Sequence, residues 1–561
     1  MKKAYEKYIP FVPIKMKTRQ WPDREIKHAP IWCSVDLRDG NQALVDPMNL
    51  EEKLEYFHTL VNIGVKEIEI GFPSASETEY EICRTLIDGG HIPDDVTIQV
   101  LVQARPHLIQ KTFDAIQGAK HVILHFYNST STLQRKVVFH SDTAGITQIA
   151  VDAAKLIYEL SQPMIASGMD LRYEYSPESF MGTEMDYAVE ICQAVLENLH
   201  ATPEKKVILN LPTTVENCMP NYFADEIEYF IQKLPSRDCA IISLHPHNDR
   251  GSGVATAEMG LLAGAERIEA TLFGNGERTG NVDMVTLAMN MYTQGIDPKL
   301  DFSNINKIRD MYERCTKMKV GERQPYVGEL VFTAFSGSHQ DAINKGTHYM
   351  EESNSEFWEI PYLPIDPADV GRQYEPIIRI NSQSGKGGAA FVMQHNFGFE
   401  LPKAMHAEFG HIVQVETDRV GTELKPDRIY ELFQTHYINA TTPYQLIRHS
   451  FAEFTDDDGH SHVTFAGTLR HKETIFSVQG SGNGPIDAFF NAIHGQKIDR
   501  FTFVDYKEHA ITRGSDSQAV AYILLRDQAG RDVFGVGVSH NINLAPLKGI
   551  LSAINRSISG C

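Results

Sequence analysis

The stretch AIISLHPHND, residues 240–249, runs from a short apolar segment directly into a cluster of polar side chains. The apolar part, Ala240–His245, has the length and composition of a buried strand. Two histidines at alternate positions of an extended chain point to the same side, so His245 and His247 are predicted to face one site. The same order, an apolar run followed by polar residues, recurs through the first half of the chain.

Eight apolar runs alternate with amphipathic segments between residues 31 and about 295, and this pattern predicts a barrel. The predicted strands are Ile31–Asp36, Lys66–Gly71, Val96–Val102, His121–Tyr127, Leu171–Tyr175, Val207–Leu211, Ala240–His245 and Arg267–Phe273. Eight strands alternating with helices over about 265 residues are typical of an α/β fold of the (β/α)8 TIM barrel type. A doubly wound open sheet is the alternative, but no G-x-G-x-x-G motif follows the first strand.

Two of the intervening segments carry clear helix signals. Leu50–Ile63 places apolar residues on one face, and Asn49 is its predicted N-cap. Asp142–Leu160 is a second predicted helix. We expect it to end before Pro163, because proline removes a backbone hydrogen bond.

Polar residues of the types used in catalysis follow the predicted strands. They are Asp39, His125, Asn128, Glu178, Thr213, Thr214, His245, His247 and Asn281. Barrels of this type carry their active sites at the carboxyl ends of the strands, so these side chains are predicted to share one mouth. Histidine nitrogens with carboxylate and amide oxygens suit a divalent metal ion such as Mg²⁺, Mn²⁺ or Zn²⁺. The predicted metal ligands are Asp39, His245, His247 and Asn281.

Arg38 directly precedes one of these ligands in the motif DLRDGNQ, residues 36–42. An arginine beside a metal-binding aspartate can donate hydrogen bonds in fork geometry to a substrate carbonyl or carboxylate. A surface Arg–Asp pair in a turn at Gly40 is the alternative. The position after the first predicted strand favours the functional interpretation.

Charge and cysteine content argue against several classes of protein. With 73 Asp and Glu against 52 Lys and Arg, the net charge is −21, which disfavours a nucleic-acid or anionic-membrane partner. The seven cysteines are scattered and include no C-x-x-C pair, which favours reduced thiols. No apolar run reaches the ~18 residues of a membrane span, and the N-terminus lacks the apolar region of a signal peptide. We therefore expect a cytoplasmic protein.

The chain is predicted to divide into four parts. Residues 1–30 form an N-terminal arm, 31–325 the barrel, 326–430 connecting linker subdomains, and 431–561 a C-terminal α+β domain. The linker is rich in Gly, Ser and Pro, and we expect short helices there without a core of their own. In the last part the predicted strands are Val463–Leu469, Thr474–Val478, Ile498–Tyr506, Ala519–Leu525 and Val533–Val538, and the predicted helices are Ile486–Ile493 and Leu544–Ile558. This order indicates two similar halves.

Several motifs carry a resemblance to a known family. DLRDGNQ (36–42), HPHNDRG (245–251) and GNGERTGN (274–281) resemble the signature segments of the 2-isopropylmalate synthase family. SQSGKGG (382–388) resembles its connecting region, and GSGNGPIDA (480–488) resembles its C-terminal regulatory domain. The likeness covers nearly the whole chain. SGKGG does not fit the phosphate-binding pattern G-x-x-x-x-G-K-[ST].

The resemblance implies a Claisen-type condensation. Acetyl-CoA loses a methyl proton and attacks the keto carbon of 3-methyl-2-oxobutanoate, and thioester hydrolysis gives 2-isopropylmalate and CoA in leucine biosynthesis. A thioester methyl group is a weak acid, so a positioned base is needed. The family pattern points to Glu178, His339 and Tyr374 as catalytic residues beside Arg38. His339 and Tyr374 lie in the linker, which would have to fold over the barrel mouth of its own chain or of a partner.

The resemblance also implies ligands and partners. The residues expected to bind the 2-oxo acid are Arg38, Leu101, His125, Tyr127, Ser176, Asn210, Pro212 and Thr214, with Thr213 as an alternative to Thr214. Leucine is expected as a feedback inhibitor on the C-terminal domain of a homodimer, and a monovalent cation such as K⁺ as an activator. In a hydrophobic pocket, one methylene changes the free energy of binding in the transition state by only ~1–3 kcal/mol. Some tolerance of other 2-oxo acids is therefore expected.

Related activities stay open from the sequence. Citramalate or homocitrate synthase would keep the chemistry and change the 2-oxo acid. A C–C lyase like HMG-CoA lyase would use the barrel alone, and the extra ~230 residues disfavour it. A non-enzymatic amino-acid sensor fits less well, because the catalytic set is complete.

Overall fold

A computed structural model of the chain describes residues 4–559, except for residues 335, 375–387, 421–423, 456–460, 495, 497, 499 and 512–516. The predicted motif at residues 382–388 therefore lies outside the described residues, apart from Gly388. The chain forms two compact units. The first consists of Met1–Phe332 with Ile365–Gln373, and the second of Thr333–Pro364 with Tyr374–Cys561.

The first unit is built around a closed barrel of eight parallel strands in chain order, which confirms the predicted TIM barrel. The strands are β1 (Ile31–Ser34), β2 (Glu67–Gly71), β3 (Thr97–Gln103), β4 (His121–Ser129), β5 (Asp170–Glu178), β6 (Val207–Pro212), β7 (Ala240–His245) and β8 (Arg267–Ala270). The barrel closes where β1 pairs with β8 over the four residues Ile31–Ser34. Residues that follow β7, β8 and β1 therefore become neighbours.

Helices surround the barrel. They are α1 (Leu50–Ile63), α2 (Glu77–Asp88), α3 (Pro106–Ala115), α4 (Thr132–Gln134), α5 (Thr143–Ala166), α6 (Met185–Asn198), α7 (Pro220–Lys233), α8 (Gly253–Ala263), α9 (Met284–Tyr292) and α10 (Ile305–Thr316). The predicted bounds of α1 are confirmed, and Asn49 forms a capping box with Glu52. The side chain of each residue accepts a hydrogen bond from the backbone N–H of the other, which satisfies two donors at the start of the helix.

Several predicted ends were wrong by two residues or more, and two of them have a clear physical cause. Helix α5 continues through Pro163 to Ala166. The proline lies in the last turn, where the backbone N–H of Ser167 still bonds to the carbonyls of Pro163 and Met164, so only the proline's own bond is lost. The eighth strand ends at Ala270, because Leu272–Gly274 turns into a 3₁₀ helix with Phe273 at a positive φ of 57°.

The N-terminal arm is mostly irregular and lies against helix α7. The guanidinium of Arg19 donates to the carboxylate of Asp225 over 2.7 Å. The indole of Trp21 donates to the same carboxylate over 2.9 Å. Asp225 is 1% exposed, so these contacts satisfy a buried charge and attach the arm to the barrel.

The second unit begins with helices. They are α11 (Gly337–Ser353), α12 (Gly388–Phe397), α13 (Lys403–Val420) and α14 (Pro426–Tyr437). The expectation of short helices was wrong, since α11 has 17 residues and α13 has 18. The expectation that the linker has no core of its own is confirmed, since its core also contains Tyr522 and Val536 from the C-terminal region. Met405, Phe409 and Val413 recur at helical spacing along α13 and are buried in a common apolar core with α12 and α14.

Two similar halves follow, as predicted. The first half is the antiparallel sheet of β9 (Tyr444–Thr455), β10 (Ser461–His471) and β11 (Thr474–Gly482), with helix α15 (Pro485–His494). The second half is the sheet of β12 (Phe501–Ala510), β13 (Ala519–Asp527) and β14 (Asp532–Ser539), with helix α16 (Leu544–Ser559). Strand β9 was not predicted, because its polar residues and its lack of full burial weaken the strand pattern. No helix in the described parts of the chain is both long and apolar enough to cross a membrane.

Candidate active site

A cavity of about 430 Å³ opens at the carboxyl ends of the barrel strands. Its walls include Arg38, Asp39, Gln42, Phe72, Leu101, His125, Tyr127, Ser176, Glu178, Asn210, Pro212, Thr214, His245, His247, Glu277 and Arg278. All the residues predicted to bind the 2-oxo acid are in this set. The structure thus brings together residues on strands β3 to β7 and residues from the segments that follow β1, β2 and β8, so all eight strands contribute.

A π-helical turn, Asp36–Gly40, aims Arg38 and Asp39 into the cavity. Asp36 anchors the turn. Its carboxylate accepts hydrogen bonds from the hydroxyl of Tyr56 at 2.7 Å and from the backbone N–H of Leu272 at 3.0 Å. Burial raises the pKa of Asp36 to about 6, although these donors favour the charged form.

Three of the predicted metal ligands lie together and are buried. His245 Nε2 is 3.4 Å from Asp39 Oδ2, and His247 Nε2 is 4.0 Å from the same oxygen. One ligand atom from each residue lies within 4.8 Å of those of the others. Asn281 adjoins them, with its Nδ2 donating to Asp39 Oδ2 over 2.9 Å.

Two of these side chains carry buried polar atoms without a hydrogen-bond partner, His247 Nδ1 and Asn281 Oδ1. Buried polar atoms normally find a partner, so these two atoms are available to bind a further group. A carboxylate, two imidazoles and an amide oxygen form a donor set that fits a divalent metal ion. The residues present therefore fit a divalent metal site at the barrel mouth.

His245 is oriented by Glu269 on β8, whose Oε2 lies 2.7 Å from His245 Nδ1. Burial alone would lower the pKa of His245, but its bonds to Asp39 and Glu269 raise it to about 9. Burial and the neighbouring His245 lower the pKa of His247 to about 4. Burial opposes the charge on Asp39, yet Arg38 and His245 hold its pKa well below the ordinary value.

Arg38 is fixed between two carboxylates. Its Nε donates to Glu69 on β2, and its Nη1 donates to Asp39 over 2.9 Å. Burial alone would lower the pKa of Arg38, but Glu69 and Asp39 raise it further above its ordinary value, so the guanidinium stays charged. The surface-pair alternative was wrong, because only 13% of the Arg38 side chain is exposed.

The floor of the cavity is a polar layer. His125 Nδ1 lies 2.7 Å from Glu69, and His125 Nε2 lies 2.7 Å from the hydroxyl of Ser176. Asn210 Nδ2 donates to the same hydroxyl over 3.0 Å. Leu101, Tyr127 and Pro212 add apolar surface to the walls. The cavity thus pairs an apolar side with a hydrogen-bonded floor.

Glu178 lies at the end of β5 and accepts a hydrogen bond from the hydroxyl of Ser129. Thr214 has a positive φ of 59°, an unusual conformation for a β-branched residue. Its hydroxyl oxygen accepts from the backbone N–H of Ser179 over 2.9 Å. Thr213 instead accepts from the backbone N–H of His247, so Thr213 supports the loop while Thr214 lines the cavity.

The two candidates from the linker do not line this cavity. His339 is exposed near the start of α11, and its ring stacks on Tyr362 with centroids 4.0 Å apart. Tyr374 is half-buried, and burial raises its pKa. Its hydroxyl is buried without a hydrogen-bond partner.

The buried charges beneath the cavity were missed from the sequence. Glu67, Glu69, Glu174, Arg267 and Glu269 point into the barrel and are at most 5% exposed. Arg267 donates to Glu67 at 2.7 Å and to Glu269 at 3.0 Å. The available signal was the alternation of charged and apolar residues inside β2 and β8, which puts the charges on one face.

Three family models match the chain. A model described as HMGL-like matches residues 29–311. A model of the alpha-isopropylmalate synthase post-catalytic domain matches residues 329–394, and a model of the LeuA allosteric (dimerisation) domain matches residues 423–558. The matches follow one another along almost the whole chain.

Curated relatives match over their full length. A 2-isopropylmalate synthase from Clostridium acetobutylicum is 53% identical, with 99% of each chain covered. A 2-isopropylmalate synthase from Brucella suis biovar 1 is 52% identical, again with 99% of each chain covered. Among solved structures, a hydroxymethylglutaryl-CoA lyase from Pseudomonas aeruginosa matches with a TM-score of 0.43 at 15% identity, covering 53% of this chain and 96% of that chain.

Proposed function

The chain belongs to the 2-isopropylmalate synthase family, and from that premise we propose that it condenses acetyl-CoA with 3-methyl-2-oxobutanoate. Hydrolysis of the thioester then gives 2-isopropylmalate and CoA. The observation that carries the proposal is one mouth lined by Arg38, Asp39, His245 and His247 beside a partly apolar cavity. Those groups suit a 2-oxo acid with an aliphatic tail.

Asp39, His245, His247 and Asn281 would hold a divalent metal ion, with Mg²⁺, Mn²⁺ and Zn²⁺ as the candidates. When bound, the ion would act as a Lewis acid that polarises the keto group and stabilises the negative charge that develops on the keto oxygen. Glu269 fixes the ring of His245 through Nδ1, so Nε2 is the nitrogen presented to the mouth. A monovalent cation such as K⁺ remains a proposed activator.

Arg38 supplies a second, fixed positive group at the keto oxygen. Glu69 and Asp39 hold the guanidinium before substrate arrives, so little reorganisation is needed during the reaction. Thr214 binds the substrate carboxylate. Its oxygen already accepts from Ser179 N–H, which leaves the hydroxyl hydrogen available to donate toward the cavity.

Glu178 is the base within the cavity for the methyl proton of acetyl-CoA. His339 and Tyr374 stay as proposed contributors from the linker of the same chain or of a partner. His339→Ala with unchanged turnover would remove His339 from the mechanism. Tyr374→Phe makes the same test of the unpaired hydroxyl.

The aliphatic tail of the acid packs against Leu101, Tyr127 and Pro212, while His125, Ser176 and Asn210 form the floor. We assign residues 31–325 to catalysis, 326–430 to the linker and 431–561 to regulation. The match to an allosteric (dimerisation) domain supports leucine as a feedback inhibitor of a homodimer. A cytoplasmic location is part of the proposal.

The test is release of CoA from acetyl-CoA with a panel of 2-oxo acids, with and without leucine. We expect the highest kcat/KM with 3-methyl-2-oxobutanoate and a loss of activity after treatment with a chelator that Mn²⁺ or Zn²⁺ restores. A preference for pyruvate would indicate a citramalate synthase, and a preference for 2-oxoglutarate a homocitrate synthase. Either preference would refute the proposed acceptor. Activity that does not respond to leucine would refute only the regulatory part.

A further inference from the structure

A fully buried glutamine, Gln99 on β3, lies beneath the cavity where three polar side chains converge. Its Nε2 is 2.7 Å from Glu69 Oε2, 3.0 Å from Glu269 Oε1 and 3.3 Å from His125 Nδ1. Glu69, His125 and Glu269 alone have the spacing of a metal site. The amide nitrogen lies within hydrogen-bond distance of all three, so it takes the position that an ion would need.

The orientation of this amide is fixed by its other end. Gln99 Oε1 accepts from Arg267 Nη2 over 2.7 Å. A guanidinium only donates and a carboxylate only accepts, so reversing the amide would oppose both sets of partners. The two hydrogens of Gln99 Nε2 therefore point at Glu69 and Glu269.

Each carboxylate orients one group of the mouth. Glu69 accepts from Arg38 Nε, and Glu269 lies 2.7 Å from His245 Nδ1. One neutral side chain thus joins the anchor of the substrate-binding arginine to the anchor of the metal-ligating histidine. The two carboxylates are buried, with oxygens within 4.8 Å of each other, so donors must offset the repulsion between their charges. Arg267 and Asn210 donate to Glu269 and Arg38 donates to Glu69, but Gln99 donates to both.

We propose that Gln99 is a positioning residue whose two N–H groups hold Glu69 and Glu269 at a fixed separation and thereby align Arg38 with His245. The inference rests on the proposed function, which assigns Arg38 and His245 their tasks. Gln99 touches neither substrate nor metal in this assignment. It acts through the two carboxylates.

Two substitutions separate donation from space filling. Gln99→Met keeps the length of the side chain but removes its donors and its acceptor. Gln99→Glu keeps the shape and the acceptor for Arg267 but turns an oxygen toward Glu69 and Glu269. If Gln99 only filled space and received Arg267, Gln99→Glu would be the milder change. If its donors matter, Gln99→Glu is the more harmful one.

The measurements are Mn²⁺ affinity by titration calorimetry and steady-state kinetics with both substrates. We expect Mn²⁺ to bind about 10-fold more weakly to both variants, since partners behind a ligand contribute about 10–100-fold. We expect kcat/KM for the 2-oxo acid to fall about 10-fold in Gln99→Met and about 100-fold in Gln99→Glu. The KM for acetyl-CoA should stay within about twofold, because neither aligned group holds the coenzyme.

Ser161→Ala is the matched control. Ser161 is fully buried on α5, outside the barrel, and bonds to the hydroxyl of Tyr173 and the carbonyl of Tyr158. It should lower thermal stability without changing Mn²⁺ affinity. If Gln99→Met yields no folded protein, Gln99→Glu provides the same measurements.

Wild-type Mn²⁺ affinity and kcat/KM in the folded Gln99 variants would overturn the inference, as would a Gln99→Glu protein more active than Gln99→Met. A wild-type protein without turnover on any 2-oxo acid would instead overturn the proposed function. The Mn²⁺ affinities would then still decide the role of Gln99, because they do not depend on turnover.

Discussion

The interior of the barrel and the interior of the C-terminal sheets are built on opposite principles. The barrel encloses Glu69, Glu174, Arg267 and Glu269, all without exposed surface. The core between the two C-terminal sheets and their helices consists of apolar side chains such as Phe465, Phe489, Ile523 and Leu547. Burying charge is costly even when it is paired, and an apolar core of similar volume is often more stable. The buried charges of the barrel therefore lower its stability, and they lie where they orient the side chains of the proposed active site.

We expect the largest effect from a substitution at the polar, charged end of the barrel interior. His245→Ala removes a proposed metal ligand and leaves Asp39 and Glu269 without their shared partner. We expect turnover to fall by at least about 10³-fold, or ~4 kcal/mol, and Mn²⁺ affinity to fall with it. His121→Ala, at the opposite end of β4, is the control and should keep turnover within about twofold. Unchanged Mn²⁺ binding in His245→Ala would contradict the assignment.

A substitution in the apolar core of the C-terminal sheets should change only the stability of the protein. Phe489 is fully buried between α15 and the sheets and lies edge-on to Phe465 with ring centroids 5.0 Å apart. Phe489→Ala should lower the free energy of unfolding by roughly 3 kcal/mol or more, because it leaves a cavity. Urea unfolding measures this change. Phe357→Ala is the control, since that ring is 76% exposed and should change stability by only about 0.5 kcal/mol.

We expect the smallest effect from the titration of one buried carboxyl group in the barrel unit, that of Asp36. Burial raises the pKa of Asp36 to about 6, against about 3.9 in an unfolded chain. A raised pKa means that protonation stabilises the folded state. That contribution is fully present below about pH 4 and is lost as the pH rises through about 6.

Asp36→Asn removes this titration. The stability of the wild type relative to Asp36→Asn should therefore fall by roughly 1 to 2 kcal/mol between pH 5 and pH 7.5. Urea unfolding of both proteins across that range measures the difference. Asp152→Asn, on the exposed face of α5, serves as the control and should follow the wild type. Parallel profiles for the wild type and Asp36→Asn would show that Asp36 is not the titrating group.

Much of the barrel could be predicted because its strands are apolar and end in polar residues. Asp39, His245 and Asn281 were placed at one mouth from chain order alone, and the closed barrel brings them together. The sequence could not say that Thr213 supports the loop while Thr214 lines the cavity. That difference depends on the positive φ of Thr214, which no residue-type preference predicts.

The polar layer was missed for a different physical reason. Charged residues inside a strand usually mark an exposed face, so Glu69 and Glu269 gave no sign of burial. Gln99 lies on β3 and becomes a neighbour of both glutamates only in the folded barrel. Arg267 is on β8 with Glu269, but its contacts with Glu67 on β2 and with Gln99 also require the folded barrel. Strand β9 was missed because partly exposed strands lack a strong apolar signal.

The pairing of β1 with β8 also determines when the proposed metal site can form during synthesis and folding. Asp39 follows β1 and Asn281 follows the last strand, so these two proposed ligands are 242 positions apart. A growing polypeptide that has not yet reached residue 281 can form most of the barrel but lacks this ligand. Such long-range contacts form late in folding. Tight binding of metal would therefore show that the barrel has closed. A metal-binding signal could then be used to time the closure of the barrel during folding.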